Sequence, residues 1–362
     1  AGLVNVDTDQ GAHPIGEDLA TITEDMARTL AGQNVRYAEV TTTAFTHFLQ
    51  RDGRPGMSVT DYRDGLNEGR NRASALGVEL SWVIDIPRDL EMPESTVTID
   101  YLASGHTPDG LVAIGLGGYE VGFPAAPYAE HFARASALGL HSVPHAGETE
   151  GADSVRSAVE DLGAERIGHG VRCLEDPEVV RQLVDRGIML EVCPTSNDLL
   201  QVINNIEDHA LPELRRNGLR VCLNTDDPGW FATDLVNELR IGSEVLGVDR
   251  AGHIELQRDA VAASTAPDDT KAALRRELVR VSERGYAIDD EERFAGTRCI
   301  AAPVVDADGG AIAGLSITAP SFRVTTRQLV GWHDQLVAAA AEISRRLAPR
   351  TGHPRGAGGH GH

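Results

Sequence analysis

The stretch His141-Ser-Val-Pro-His-Ala-Gly-Glu-Thr-Glu150 places an imidazole, His145, three residues before a carboxylate, Glu148. Leu138-Gly139-Leu140 and Val143 read as a short buried strand that Ala146-Gly147 breaks. Both side chains then fall at a strand's carboxyl end, where α/β proteins place their chemistry. Arg166-Ile-Gly-His169-Gly170 and Asn224-Thr-Asp226-Asp227-Pro228 repeat the form downstream, each an apolar run ending in a histidine or an aspartate pair.

Outward from this stretch the chain alternates helix and strand. Leu19, Ile22, Met26 and Leu30 have helical spacing and predict a helix over 17–32, followed by an alternating strand from Val35 to Val40. The same rhythm predicts helices at 61–76, 96–103, 127–138, 152–162, 177–185 and 212–217. Strands are expected at 78–84, 111–116, up to His145, up to His169, 187–193 and 219–225. Gly or Asn separates helix from strand in most units, as helix C-termini favour. So many βα units argue for a (β/α)8 TIM barrel over an open sheet. Seven strands are counted where closure needs eight, so either a first strand is missing or the count is one short. Helices over 233–246, 251–263 and 268–284 would cover the end of the barrel.

From about Gly285 the pattern becomes α+β. Cys299 to Val305, a turn at Asp306 to Gly310 and Ala311 to Ile317 read as a β-hairpin, and 326–347 as an amphipathic helix. The expected division is a barrel over 1–284, a small α+β segment over 285–348 and a disordered Gly/His tail over 349–362. His353, His360 and His362 in that tail read as solvated residues ahead of adventitious metal ligands.

The 362 residues are 41% hydrophobic, enough for one large α/β domain and a smaller unit. A net charge of −22 disfavours nucleic acid or an anionic membrane as the main partner and suits a small neutral or cationic ligand. Four cysteines, Cys173, Cys193, Cys222 and Cys299, are widely spaced and read as reduced residues of a cytoplasmic protein. No apolar run approaches about 18 residues, and no signal-peptide pattern opens the chain. Nothing in the sequence reports an oligomeric state.

His145, His169 and Asp226 end three different strands, which is how a barrel converges ligands on one point. A divalent ion held there by imidazole and carboxylate, with one position left to water, would lower that water's pKa towards neutrality. Glu148 would shuttle protons to the substrate, and Asp227, pointing away from Asp226, would bind it. The bland readings are a hydrogen-bonded histidine at a strand end and an ordinary turn at Asp-Asp-Pro. Three such residues on one periodic frame favour chemistry. Gly115-Leu-Gly-Gly118 lacks the Walker and dinucleotide spacings and reads as close backbone approach to a ligand. Cys193-Pro-Thr-Ser-Asn197 lacks a triad frame and reads as a loop beside the site, while His47, His106 and His131 read as surface or packing residues.

His145-Ala-Gly-Glu148, Arg166-Ile-Gly-His169-Gly, Val192-Cys-Pro-Thr-Ser-Asn197 and Asn224-Thr-Asp-Asp-Pro228, in this order, resemble the signatures of the adenosine deaminase family of zinc aminohydrolases. The resemblance runs from about Glu17 to about Arg280. It implies a (β/α)8 barrel that hydrolyses the 6-amino group of a purine nucleoside, adenosine to inosine plus ammonia. It implies that His145 and Asp226 are Zn2+ ligands, that Glu148 is the proton donor to the purine ring nitrogen, and that His169 acts beside the metal's water. Asp227 would contact the purine and orient the water, and Gly118 would give the base a backbone contact. The family's other two ligands come from a His-x-His pair on its first strand, and no such pair precedes Tyr37. The piece lacking would be roughly 50–60 residues, a strand and a helix. Poor zinc binding and negligible turnover are the expectations that follow.

Leu140 to Thr149 and Glu120-Val-Gly-Phe-Pro124 are also similar to actinobacterial deaminases of aminodeoxyfutalosine, which makes that compound the alternative substrate. Arg284 to Glu292 and Gly296 to Pro303 resemble the second half of the effector-binding domain of IclR-type regulators, as far as about Leu347. That domain's first half and a helix-turn-helix are absent from the sequence, so DNA regulation is not supported. A non-catalytic ligand-binding or regulatory protein is the reading from a different class.

Overall fold

The computed structural model describes residues 16–49, 56–89, 92–290, 296–306 and 311–347; the lead-in with His13, most of the turn after Asp306 and the Gly/His tail lie outside them. The chain divides at Leu278/Val279, within the helix Asp268–Arg284.

In the first unit the expected strands form with boundaries shifted by a few residues. β1 (Tyr37–Thr42), β2 (Glu79–Pro87), β3 (Leu111–Gly117) and β4 (His141–Ser142) make a parallel sheet in that order. β5 (His145–Ala146), β6 (Arg166–His169), β7 (Met189–Val192) and β8 (Arg220–Leu223) make a second. Leu80 to Ile86 of β2 is buried throughout, as parallel strands covered on both faces are. The strand expected to end at His145 is two pieces, with Pro144, which has no N–H to give towards β6, between them. The Val143 N–H still reaches Ile114 O on β3 (2.9 Å), and the Gly168 N–H then takes Pro144 O (3.0 Å). The segment thus runs between β3 and β6, and β4 with β5 counts as one broken strand. Among the described residues β1 and β8 have one neighbour each.

The helices follow the predicted rhythm with three corrections. The helix expected at 127–138 opens as a 3-10 turn, Ala126–Tyr128, before Ala129–Ala137. The one expected from 233 starts at Leu235, where the Asp234 side chain accepts the Asn237 N–H at 2.7 Å. Pro194–Leu199, read as a loop, is a short helix with proline in its first turn. Each sheet has its own apolar core, one around Tyr62, Trp82 and Ile114, the other around Ile167, Leu190 and Val221.

The second unit is a three-stranded antiparallel sheet in the order β11-β10-β9: β9 (Ala287–Asp290), β10 (Thr297–Val305) and β11 (Ala311–Pro320). β9 adds a strand to the expected hairpin. The single helix expected over 326–347 is two, Thr326–Gly331 and His333–Leu347, parting after Gly331, whose residue type weakens a helix interior. Ile300, Val304, Leu329 and Leu336 form its core. No helix among the described residues is long and apolar enough to cross a membrane.

Charge is buried inside the first unit as well. Arg166 of β6, its side chain 6% exposed, is bonded to Glu39 of β1 and to Glu191 of β7, the latter at 2.7 Å. Glu39 also accepts the Thr265 N–H at 2.6 Å. Burial alone would raise the Glu39 carboxyl, but Arg166 and Thr265 hold it below its ordinary value. Replacing Arg166 by Met leaves two carboxylates inside without their cation. The expected loss is about 3–5 kcal/mol of stability, read from urea unfolding at pH 7.

Candidate active site

The carboxyl ends of β5, β6 and β8 bring His145, His169 and Asp226 together, with one ligand atom of each within 4.8 Å of the others. His169 Nε2 lies 3.9 Å from Asp226 Oδ2 and 3.6 Å from Glu148 Oε1, an oxygen that is buried without a hydrogen-bond partner. The backbone is strained at two of the three. His169 (φ 61°) and Asp226 (φ 53°) are both left-handed, a conformation that costs a residue with a side chain about 1–3 kcal/mol. Gly168 explains how the rings approach, since a Cβ there would meet His145 Cδ2 at 2.9 Å.

The ring of His145 is oriented by β3. Its Nδ1 lies 3.2 Å from Leu116 O, and a carbonyl can only accept. Nδ1 therefore carries the proton, and Nε2 is left with a free lone pair, the arrangement found in metal-ligating histidines. Arg88, 1% exposed, donates to His145 O at 3.1 Å and to Phe123 O at 2.8 Å, fixing the backbone beneath the ring. Asp226 accepts from Ser196 Oγ at 2.7 Å. Burial would raise its carboxyl, but the His169 and His145 imidazoles and that hydroxyl hold it below its ordinary value. An imidazole lone pair and an ionised carboxylate are donors that suit zinc, so these side chains supply part of a site for the ion the motifs imply; no His-x-His pair stands among the described residues to add to them.

Glu148 is placed by Glu120, a residue quoted in the sequence only for its likeness to deaminases of one substrate. The buried Glu120 carboxylate accepts backbone N–H groups from Gly147 (2.7 Å), Glu148 (3.1 Å), Thr149 (2.8 Å) and Glu150 (2.9 Å), and the Ser154 hydroxyl. Burial would raise it, but the Glu150 N–H, Ser154, and the Gly147 and Thr149 N–H groups outweigh that and hold it below 4.5. Asp227 follows Asp226 and lies close enough to Asp85 for its charge to count there. Gly118 stands one residue beyond β3 with φ 87°.

Four contributors were not singled out in the sequence. Asp85 of β2 is 7% exposed and accepts from Thr43 Oγ1 at 2.6 Å; burial pushes its carboxyl up, against Thr43 and His145. An acid in the middle of Trp-Val-Ile-Asp-Ile was the signal for it. Ser196 and Asn197 lie in the run read as a loop, and His209 had no motif of its own. Of the histidines read as packing, His131 is 9% exposed and beside Ser95, at 3.5 Å.

A family model for adenosine deaminase matches residues 13–281. The chain belongs to the adenosine deaminase family. Aminodeoxyfutalosine deaminase of Streptomyces coelicolor is 41% identical over 268 residues, which are 72% of this chain and 67% of that protein. The crystal structure of adenine deaminase from Arthrobacter aurescens matches with TM-score 0.70 and 30% identity, over 74% of this chain and 80% of that one. A zinc-bound amidohydrolase from Burkholderia ambifaria shares the fold at TM-score 0.68 and 23% identity, over 74% and 75% of the two chains. The family is one of metal-dependent aminohydrolases, and the enzyme class of this chain follows. A second model, bacterial transcriptional regulator IclR C-terminal, matches residues 249–345, so it starts before Arg284 and overlaps the deaminase match over 249–281.

Glu120→Gln puts an amide donor among N–H groups that all donate. It is expected to lower stability by about 1–3 kcal/mol in urea unfolding. Because the native Glu120 pKa is depressed, its stabilisation is present above 4.5 and is lost as pH falls below that through the native value. The difference between the two proteins should shrink across that acid range.

Proposed function

We propose that this protein hydrolyses the 6-amino group of a purine nucleoside, with adenosine to inosine plus ammonia as the default reaction. The observation that carries it is the meeting of His145, His169 and Asp226 at three strand ends with Glu148 3.6 Å from His169. His145 and Asp226 would hold Zn2+. A zinc ion there supplies a water whose pKa is lowered to near neutrality.

The chain's own groups do the rest. Glu148 gives a proton to the purine ring nitrogen as the water oxygen adds to the carbon bearing the amine, and proton transfer to the amine releases ammonia. A Glu148 oxygen buried with no hydrogen-bond partner is suited to that role, since nothing competes for its proton. His169 borders the water, Asp227 contacts the purine and orients the water, and Gly118 presents backbone to the base. Arg88 and Glu120 hold the backbone of His145 and Glu148 so that these atoms need not reorganise.

Aminodeoxyfutalosine is the second reading, favoured by the 41% identity to a deaminase of that name. Tyr119 and Trp230, 59% and 70% exposed on the segments after β3 and β8, offer apolar surface to a substituent beyond the base. We also propose a cytoplasmic setting, the four cysteines being free thiols, and an α+β segment from 285 to 348 with a role separate from catalysis.

Ammonia release from adenosine, adenine and aminodeoxyfutalosine, with zinc stoichiometry measured alongside, tests the reading. Because no His-x-His pair precedes Tyr37, weak zinc binding and only slow release from one purine in excess zinc are expected; none from all three with zinc bound would sink it. Glu148→Gln should lower kcat by roughly 10²–10⁴-fold while leaving zinc content unchanged.

A further inference from the structure

Behind His169 runs a chain of hydrogen bonds whose direction is fixed at its far end. His209 is 3% exposed, and its Nδ1 lies 3.1 Å from the backbone nitrogen of Leu211, where the helix Leu211–Arg216 begins. That N–H can only donate, so His209 Nδ1 accepts and bears no proton. Burial pushes the His209 imidazolium down to about 4, in keeping with a ring that holds a single proton at neutral pH. That proton is on Nε2, which lies 3.3 Å from Asn197 Oδ1 and donates to it.

With its oxygen engaged, Asn197 turns its Nδ2 to His169, 3.2 Å from Nδ1. The flipped amide is excluded: it would make His209 accept on both nitrogens, which no imidazole with a proton can do. His169 Nδ1 is therefore an acceptor, and the His169 proton is on Nε2. This is the atom facing Glu148 Oε1 at 3.6 Å and Asp226 Oδ2 at 3.9 Å.

We propose that His209 is a positioning residue of this site, acting through the Asn197 amide to lock His169 in the tautomer that presents Nε2–H to the reaction centre. His145 and His169, on adjacent strands, then do opposite work. His145 offers a lone pair to a cation, and His169 offers a donor to the water oxygen on which negative charge develops. The tautomer stands on the hydrogen bonds alone; its use as a donor to the water rests on the deaminase reading above.

The test uses the full chain, metal-free and labelled with 15N-histidine, at pH 7. Imidazole nitrogen–proton correlations report the tautomer, and a His169→Gln variant assigns the resonance. Wild type is expected as Nε2–H. His209→Leu removes the donor to Asn197 and should leave His169 with protonated Nδ1 in a substantial fraction of molecules. His209→Gln, whose side-chain N–H reaches the same oxygen, should restore Nε2–H. Asn197→Asp presents an acceptor to His169 and should protonate Nδ1 even if His209→Leu fails to fold. A wild-type Nδ1–H tautomer, or an unchanged His169 in the folded variants, overturns the proposal. With zinc restored, His209→Leu should lose roughly 10–100-fold in kcat with KM little changed, and His209→Gln should recover most of it. The two ideas fail separately. The expected tautomers without ammonia release from any purine support the His209 lock and sink the deaminase reading. Normal ammonia release with an indifferent His169 sinks only the lock.

Discussion

Sheet and site are joined by the bond between His145 Nδ1 and the carbonyl of Leu116, 3.2 Å long. On β3 the carbonyl of Ile114 takes the Val143 N–H, and two residues on, Leu116 would ordinarily take the next N–H of the facing strand. The His145 imidazole reaches that carbonyl. A backbone hydrogen-bonding site is thereby converted into a device that orients a ring and settles its proton. The segment also pairs with β6, bringing His145 against Gly168 and within a 5.3 Å ring separation of His169.

Electrostatics around this join follows one pattern. Asp85, Glu120, Glu148, Asp226 and Asp227 gather at the strand ends, and four of them are handled differently. Glu120 is saturated with backbone donors, Asp226 faces imidazoles and a hydroxyl, and Asp85 is pushed up by burial. The oxygen of Glu148 is left without a hydrogen-bond donor. Buried carboxylates at this density repel one another unless a cation or protons intervene. At Arg166 the chain solves the same problem with a cation of its own, a guanidinium ion-paired between Glu39 and Glu191. At the strand ends the resident cation, Arg88, spends its bonds on the carbonyls of His145 and Phe123.

Much of this was readable in the sequence because it depends on period and type. Helix–strand alternation follows from apolar spacing, and His145, His169 and Asp226 end apolar runs, so their convergence follows from parallel strands alone. The residues that stayed hidden act through tertiary contacts with no local spacing. Glu120 meets the Glu148 loop from 28 residues away, and Asn197 meets His169 across the same distance. The break at Pro144 was spelled out, yet a proline beside Val143 also suits an uninterrupted edge strand. The short helix Pro194–Leu199 has no second turn on which periodicity could register.

That helix explains why the strain at His169 and Asp226 persists. It follows β7, the strand between β6 and β8, and consecutive residues on it reach in opposite directions. Ser196 donates to Asp226 beyond β8, and Asn197 holds His169 beyond β6. Each left-handed residue costs about 1–3 kcal/mol, comparable to one buried hydrogen bond to a charged or ordered partner. The two anchors therefore offset the strain only if they stay aligned together. A shift of the helix would loosen both residues at once, so the spacing between the putting-forward of an N–H at His169 and a carboxylate at Asp226 is set by a rigid element that contributes neither group.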